Sequence, residues 1–267
     1  NHDKLMISLQ YLSMKTEIYQ QAEYYEIAFD FIDVKEQVTL FENFISKHSE
    51  IPVKSVIDIA CGPGLQLTEF AKRGYKSTGL DLSKGMLDYL GQKSSQEKSD
   101  IKTVKADMTD FMLDQKVDFA YILMGSIVYL KNNDELIHHL KSVANNLNSG
   151  GLYIIENLII TWADPKTWES RKWDMERNGI KVCIFYQISL KNELTQTIEQ
   201  IIKLDINDNG KLITLEDRDE LKLVMPQEFK TIVELQGDFE FIGFFERREM
   251  EELTKSSSNN LIVLRKK

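Results

Sequence analysis

The stretch VIDIACGPGLQL, Val56 to Leu67, decides the fold. Val56, Ile57 and Ile59 make a short apolar run, Gly62-Pro63-Gly64 breaks it, and the residues from Leu65 open a helical pattern. A strand that turns into a helix through glycines can simply link two elements, or it can hold a nucleotide-like ligand. A dinucleotide turn reads G-x-G-x-x-G, its third glycine allowing the helix to pack closely beside the pyrophosphate. Here Gly62 and Gly64 are followed by Leu65, Gln66 and Leu67, so the third glycine is missing. A triphosphate loop, G-x-x-x-x-G-K-[ST], needs a Lys and a hydroxyl residue at a spacing this chain does not offer. A ligand without phosphates remains.

The next two apolar runs support that choice. STGLDLS places Asp81 at a strand end, where a carboxylate can accept hydrogen bonds from both hydroxyls of a ribose. VKADMTDF places Asp107 where it can accept from an adenine amino group, with Met108 on the ring face. Three consecutive strand ends describe an adenosine pocket.

Around these runs, strand-like segments alternate with helical ones: KSVIDIA, a helix over Leu65 to Arg73, YKSTGLDL, a helix from Lys84, IKTVKAD, VDFAYILM, a helix over Asp134 to Leu147, and GLYIIENLI. That rhythm predicts a parallel sheet with helices on both faces and a ligand at the carboxyl ends of its strands. Before it, Tyr25, Ala28, Phe29, Ile32, Val38, Phe41, Phe44 and Ile45 recur mostly at three- and four-residue steps, which predicts helix over much of Thr16 to Lys47. After Ile160, IKVCIFYQISL, LTQTIEQIIKLDI and KLITLEDRDELKLV read as antiparallel strands of an insertion. PQEFKTIVEL then reads as a helix with Pro226 in its first turn, and FEFIGFFE and NNLIVLRKK as strands returning to the first sheet. The expected organisation is one domain: a helical cover (1–50), a ligand-binding core (51–160), an antiparallel insertion covering the site (161–225) and a return to the core sheet (226–267).

With these motifs in order over residues 53 to 160, the chain resembles the class I S-adenosylmethionine-dependent methyltransferases. DIACGPG corresponds to the family's first motif, Asp81 in GLDLS to its ribose carboxylate, ADMTD to its adenine motif, DFAYILMGSIVYL to its fourth motif and GGLYIIEN to its fifth strand. The resemblance implies a doubly wound, seven-stranded, mostly parallel α/β sheet with an antiparallel last strand, S-adenosylmethionine as methyl donor and S-adenosylhomocysteine as product. It assigns donor binding to Asp58, Ala60, Cys61, Gly62, Gly64, Asp81, Leu82, Met86, Asp107, Met108 and Met124. Amides of the Cys61 to Gly64 turn, at a helix N-terminus, suit the donor's carboxylate. Asp58 either pairs with the donor's ammonium, directly or through water, or caps the turn's own amides. Cys61 has no basic neighbour in sequence and is not read as a nucleophile.

The acceptor is less determined. Tyr19, Tyr24, Tyr25, Tyr129, Glu156, Asn157, Trp162, Arg171 and Trp173 are the candidates to line its pocket, with core packing as the plain alternative for the aromatic residues. Tyr19, Tyr25, Tyr129, Asn157 and Arg171 are the acceptor-side candidates for catalysis, and Tyr19 or Tyr25 is the preferred contact, because in resembling enzymes an N-terminal helix carrying a Tyr just before the first motif folds over the donor. For Arg171 a surface pair with Glu169 or Asp174 is the favoured reading. The arrangement of an insertion followed by a helix and an apolar strand resembles small-molecule N-methyltransferases of amino sugars and glycine-like amines. A small-molecule acceptor, with an amine nitrogen in preference to oxygen, is the expectation, and a non-catalytic adenosine-ligand sensor is the alternative.

Composition narrows the partners. Lys and Arg total 33 against 42 Asp and Glu, a formal charge of -9, which argues against phosphate-backbone binding. The Asp/Asn-Pro-Pro-Tyr/Phe tetrad of nucleobase-amino methylases is absent from LMGSIVYL. Two cysteines far apart, no membrane-length apolar run and no leader-like start point to a cytoplasmic chain without membrane or nucleic-acid partners; monomer and homodimer are both compatible. Adjacent His138 and His139 point apart on a helix, which predicts solvated side chains and no metal site. DINDNGKLITLE, Asp205 to Glu216, matches the calcium-loop pattern D-x-[DN]-x-[DN]-G-x5-E, yet NDNG within alternating sequence predicts a hairpin turn that binds no calcium.

Overall fold

The computed structural model describes residues 17–158, 164–254, 257 and 259–267. Two short helices, α1 (Glu17–Gln20) and α2 (Ala22–Ala28), precede α3 (Val34–His48). The helical stretch read from the sequence is therefore broken, and Asp33 restarts it by accepting the Glu36 amide at 2.9 Å. The core follows as β1 (Ser55–Ile59), α4 (Leu65–Lys72), β2 (Lys76–Asp81), α5 (Lys84–Glu97), β3 (Ile101–Lys105), β4 (Val117–Ile122), α6 (Asn133–Asn146) and β5 (Leu147–Glu156). The insertion is β6 (Arg171–Arg177), β7 (Ile180–Asn192), β8 (Thr197–Asp208) and β9 (Lys211–Lys222). Then α7 (Pro226–Gln236), β10 (Phe239–Glu246) and β11 (Asn260–Lys266) complete the chain.

The first sheet has seven strands in the order β10-β11-β5-β4-β1-β2-β3. Strands β1 to β5 pair in parallel, and β11 inserts antiparallel between β5 and β10. The near-continuous apolar runs of β1, β4 and β5 are those of strands buried on both faces. Alternate residues serve opposite layers. Val56, Phe119, Tyr121 and Ile154 pack with Phe41 and Phe44 of α3 and Phe70 of α4, while Ile57, Ala120, Ile122 and Ile155 pack with Leu136 and Leu140 of α6 and Phe229 of α7. Burying each large apolar side chain contributes about 1.5–3 kcal/mol, and both layers therefore hold the sheet. Strand order reverses between β1 and β4, so a crevice opens at their carboxyl ends.

The insertion forms a separate antiparallel sheet, β6-β7-β8-β9. Its inner face, with Val182, Ile184, Ile202 and Leu204, packs on Ile18, Ile27 and Ala28 of α1 and α2. Strand β6 was not among the strands expected from sequence. Its RKWDMER is charge-rich, as suits an edge strand, and only Trp173 and Met175 join the apolar cluster. NDNG is the hairpin turn between β8 and β9, as expected, with Asp208 paired to Lys211.

Candidate donor and acceptor site

One cavity of about 810 Å³ runs from the carboxyl ends of β1, β2 and β4 to the inner face of the insertion sheet. On its core side lie Ala60, Gly62, Asp81, Leu82 and Met86, and beyond them Asp107, Met108 and Met124. A Cβ built on Gly62 would meet no protein atom within 4 Å, so the backbone of the turn fronts open space. Asp81 Oδ2 accepts the Gly62 amide and Oδ1 the Ser83 amide, each at 2.8 Å. Burial raises the Asp81 carboxyl, while these backbone amides oppose the rise. Asp107 Oδ1 accepts both the amide and the hydroxyl of Thr109, at 2.8 and 2.7 Å.

Three non-glycine residues on the wall, Ala60, Met124 and Asn157, have φ of +57°. They follow β1, β4 and β5. Left-handed backbone costs L residues roughly 1–2 kcal/mol each, and such strain clusters where a site needs a sharp strand exit. Asn157 Oδ1 is buried without a hydrogen-bond partner among the described residues, an acceptor on the wall that a bound N–H or O–H would satisfy.

Not every residue of the first motif reaches the cavity wall. Asp58 is 2% exposed and lies off the wall; burial, with the Asp81 charge second, pushes its carboxyl well up. Cys61 and Gly64 also lie off the wall, and burial raises the Cys61 thiol well above its ordinary range, which suits an inert side chain. Glu156 is wholly buried behind the wall. It accepts from the Met124 amide at 2.7 Å, Gln37 Nε2 at 2.9 Å and Arg247 Nε at 2.5 Å, and so fixes the exit of β4.

On the insertion side Tyr19, Tyr25 and Tyr129 line the cavity with Arg171 and Trp173. Ser83 Oγ donates to the Tyr19 carbonyl at 2.6 Å, tying α1 over the end of β2. Trp173 Nε1 donates to the Ala28 carbonyl at 2.9 Å. Tyr24 turns away and donates to Asp208 at the hairpin end of β8. Trp162 lies outside the described residues. The surface pair favoured for Arg171 is not what forms: Asp174 pairs with Lys181 at 3.4 Å, and Arg171 stands on the cavity wall. Neighbouring strand residues point to opposite faces, which separates Arg171 from Asp174.

His139 corrects the expectation of a solvated side chain. It is fully buried, while His138 is exposed. Its Nδ1 lies 2.9 Å from the Met108 carbonyl and its Nε2 2.6 Å from Tyr153 Oη. A carbonyl only accepts, so Nδ1 carries the proton and Nε2 accepts from Tyr153. Burial lowers the His139 pKa to about 4.

Gln200 and Asp219 were missed. They are cross-strand partners on β8 and β9, and both line the cavity. The signal in β8 was a polar residue at an inward position, flanked by Ile198 and Ile202. Gln200 Nε2 donates to Tyr129 Oη at 2.9 Å, Tyr19 Oη lies 2.6 Å from the same oxygen, and Tyr129 Oη reaches Asp219 Oδ2 at 3.4 Å.

A family model described as a methyltransferase domain matches residues 56–151. Residues 56–151 are thus similar to methyltransferase domains. The chain is 32% identical over 114 residues to the dTDP-3-amino-3,4,6-trideoxy-alpha-D-glucopyranose N,N-dimethyltransferase of Streptomyces venezuelae, covering 43% of this chain and 45% of that protein. It is 29% identical over 103 residues to the dTDP-4-amino-2,3,4,6-tetradeoxy-D-glucose N,N-dimethyltransferase of Saccharopolyspora spinosa, covering 39% and 40%. The match thus spans less than half the length of these relatives. The crystal structure of Streptomyces venezuelae DesVI aligns over 92% of this chain and 98% of its own with a TM-score of 0.76 at 20% identity, a likeness of fold. The fold around residues 56–151 is that of the class I S-adenosylmethionine-dependent enzymes.

Proposed function

We propose that the chain transfers a methyl group from S-adenosylmethionine to an amine nitrogen of a small molecule, with a nucleotide-linked amino sugar as the acceptor class. The observation that carries this reading is the single cavity joining the strand-end adenosine pocket to the aromatic wall of the insertion. Its core half suits a cationic donor without phosphates. Carboxylates stand at two strand ends, the open turn presents backbone, and the turn carries no Lys or Arg. When bound, S-adenosylmethionine supplies a methyl on a cationic sulfur for a nucleophile to take.

The residues of this chain bind, orient and exclude water. Asp81 holds ribose hydroxyls, and Asp107 and Met108 the adenine. The amides of Cys61, Gly62 and Gly64 are already donated to Leu80, Asp81 and Cys61 and Pro63 has none, so the carboxylate contact expected of this turn does not come from them. Tyr19, Tyr25 and Tyr129 wall the space where the acceptor lies. Burial raises all three hydroxyl pKa values, so the rings stay neutral near pH 7 and serve as donors and packing surfaces. Alignment of nucleophile and methyl at about 3 Å supplies most of the help such a displacement needs. Acceptor class comes from the names of the two sugar N,N-dimethyltransferases to which the core is similar.

The test is incubation with methyl-labelled donor and a dTDP-amino sugar beside its hydroxy counterpart. Label on the amino sugar alone supports the reading. Tight S-adenosylhomocysteine binding without transfer to any amine in a broad pool would replace it with a sensor, and label on the hydroxy sugar would move the acceptor atom to oxygen.

A further inference from the structure

We infer that Asp219 is the residue that receives the acceptor's amine as an ammonium and takes its proton, an inference that rests on the methyl-transfer reading above. Asp219 is the carboxylate that the insertion sheet brings to the cavity wall; the wall's other carboxylates, Asp81, Asp107 and Glu135, belong to the core. Its surroundings are built from four separate elements. Tyr19 comes from α1, Tyr25 from α2, Tyr129 from the turn after β4 and Gln200 from β8. On its own strand Asp217 is buried off the wall and Leu221 lies on it.

The hydrogen bonds give this cluster a direction. Gln200 has donated to Tyr129 Oη, and the Tyr129 hydroxyl reaches toward Asp219. Tyr19 and Tyr129 share a short contact of 2.6 Å. A tyrosinate at either position would face the Asp219 charge, which adds to burial in raising both hydroxyls. The tyrosines therefore stay protonated, and Gln200 is neutral. Asp219 is left as the basic group of the cluster.

An aromatic wall with one carboxylate selects a cation over a neutral hydroxyl, because the charge-assisted hydrogen bond forms with the ammonium alone. An ammonium has no lone pair and cannot attack a methyl group. Its N–H bond breaks toward an Asp219 oxygen, the electron pair stays on nitrogen as the nucleophilic lone pair, and Asp219 becomes the neutral acid. Asp219 is half-buried, and the proton passes from it to water.

The experiment uses benzylamine and its neutral counterpart benzyl alcohol as probes, titrated at pH 7 into the intact chain with and without saturating S-adenosylhomocysteine. Wild type should bind benzylamine about tenfold or more tightly than the alcohol. Asp219→Asn should lose that preference while its melting temperature and S-adenosylhomocysteine affinity stay unchanged. Equal binding of both probes by wild type, or an undiminished preference in Asp219→Asn, would overturn the inference. The wild-type comparison needs no variant and so survives a folding defect. Failure of S-adenosylhomocysteine to bind wild type would overturn the donor reading by itself, since the amine preference is also measured without it.

Discussion

Asp81 Oδ2 accepts the backbone amide of Gly62 at 2.8 Å, so the carboxylate expected to hold a ribose also ties the end of β2 to the turn after β1. Its second oxygen accepts from Ser83, at the start of α5. Asp81 therefore shapes the site at which it is expected to meet a ribose. Each oxygen keeps further acceptor capacity for a hydroxyl.

Asp81→Ala should weaken S-adenosylhomocysteine binding about tenfold or more, the loss of a charge-assisted hydrogen bond of roughly 1.5–3 kcal/mol. It should also lower the melting temperature, because two amides lose their partner. Calorimetry and thermal melts on one preparation separate the two effects. Unchanged affinity in a folded variant would remove Asp81 from the donor site.

His139 makes stability pH-dependent. Unfolded imidazole titrates near its ordinary value of about 6.5, whereas burial holds the folded one at about 4. Between those values the unfolded chain binds the extra proton, so acidification favours unfolding. The contribution is full above the unfolded value and is lost progressively as pH falls toward 4, by up to about 3 kcal/mol. Denaturant melts of wild type and His139→Gln across this window should converge as pH falls. Parallel curves would show that His139 does not carry the effect.

Glu156 gathers the exits of β4 and β5, helix α3 and the end of β10 through Met124, Gln37 and Arg247. Glu156→Gln keeps the shape but leaves Arg247 without its counter-charge, and breaking such a buried pair costs about 3–5 kcal/mol. Adding Arg247→Met should restore part of that loss. Chemical denaturation of the single and double variants measures both, and a fully stable single variant would refute the network.

Much of the core was legible because its chemistry sits next to its pattern. The glycine turn, Asp81 and Asp107 each close a short apolar run, so strand ends and residues that line the cavity were read together. His139 was misread as solvated although the signal was present: Leu136, Leu140 and Val143 mark the buried face of α6, and residue 139 falls within that stripe. Asp219 was not legible, because its meeting with Gln200 depends on hairpin register and its meeting with Tyr19 and Tyr129 on tertiary packing. Arg171 was named as a candidate, but its place on the wall in preference to a surface pair needed the strand β6, which its charged sequence hid.

The segment Asp205 to Glu216 separates motif from structure most sharply. Asn209 and Gly210 have φ of +50° and +95°, the paired left-handed residues of a type I′ turn, and Asn207 Oδ1 accepts the Gly210 amide at 2.9 Å. The oxygens that a calcium loop would converge are committed elsewhere. Asp205 takes Lys203 Nζ at 2.8 Å and the Thr214 hydroxyl at 2.7 Å, while Glu216 lies opposite Lys203 on β9 and pairs with Arg218 at 2.8 Å. Gly210→Ala should destabilise by roughly 1–2 kcal/mol, because a Cβ there meets no neighbour and the cost is the left-handed backbone alone. Millimolar calcium should leave the melting temperature where an equal ionic strength of sodium chloride leaves it. A calcium-dependent rise abolished by Glu216→Gln would mean that the hairpin opens to bind the ion, and the insertion sheet would then be a regulated cover over Gln200 and Asp219.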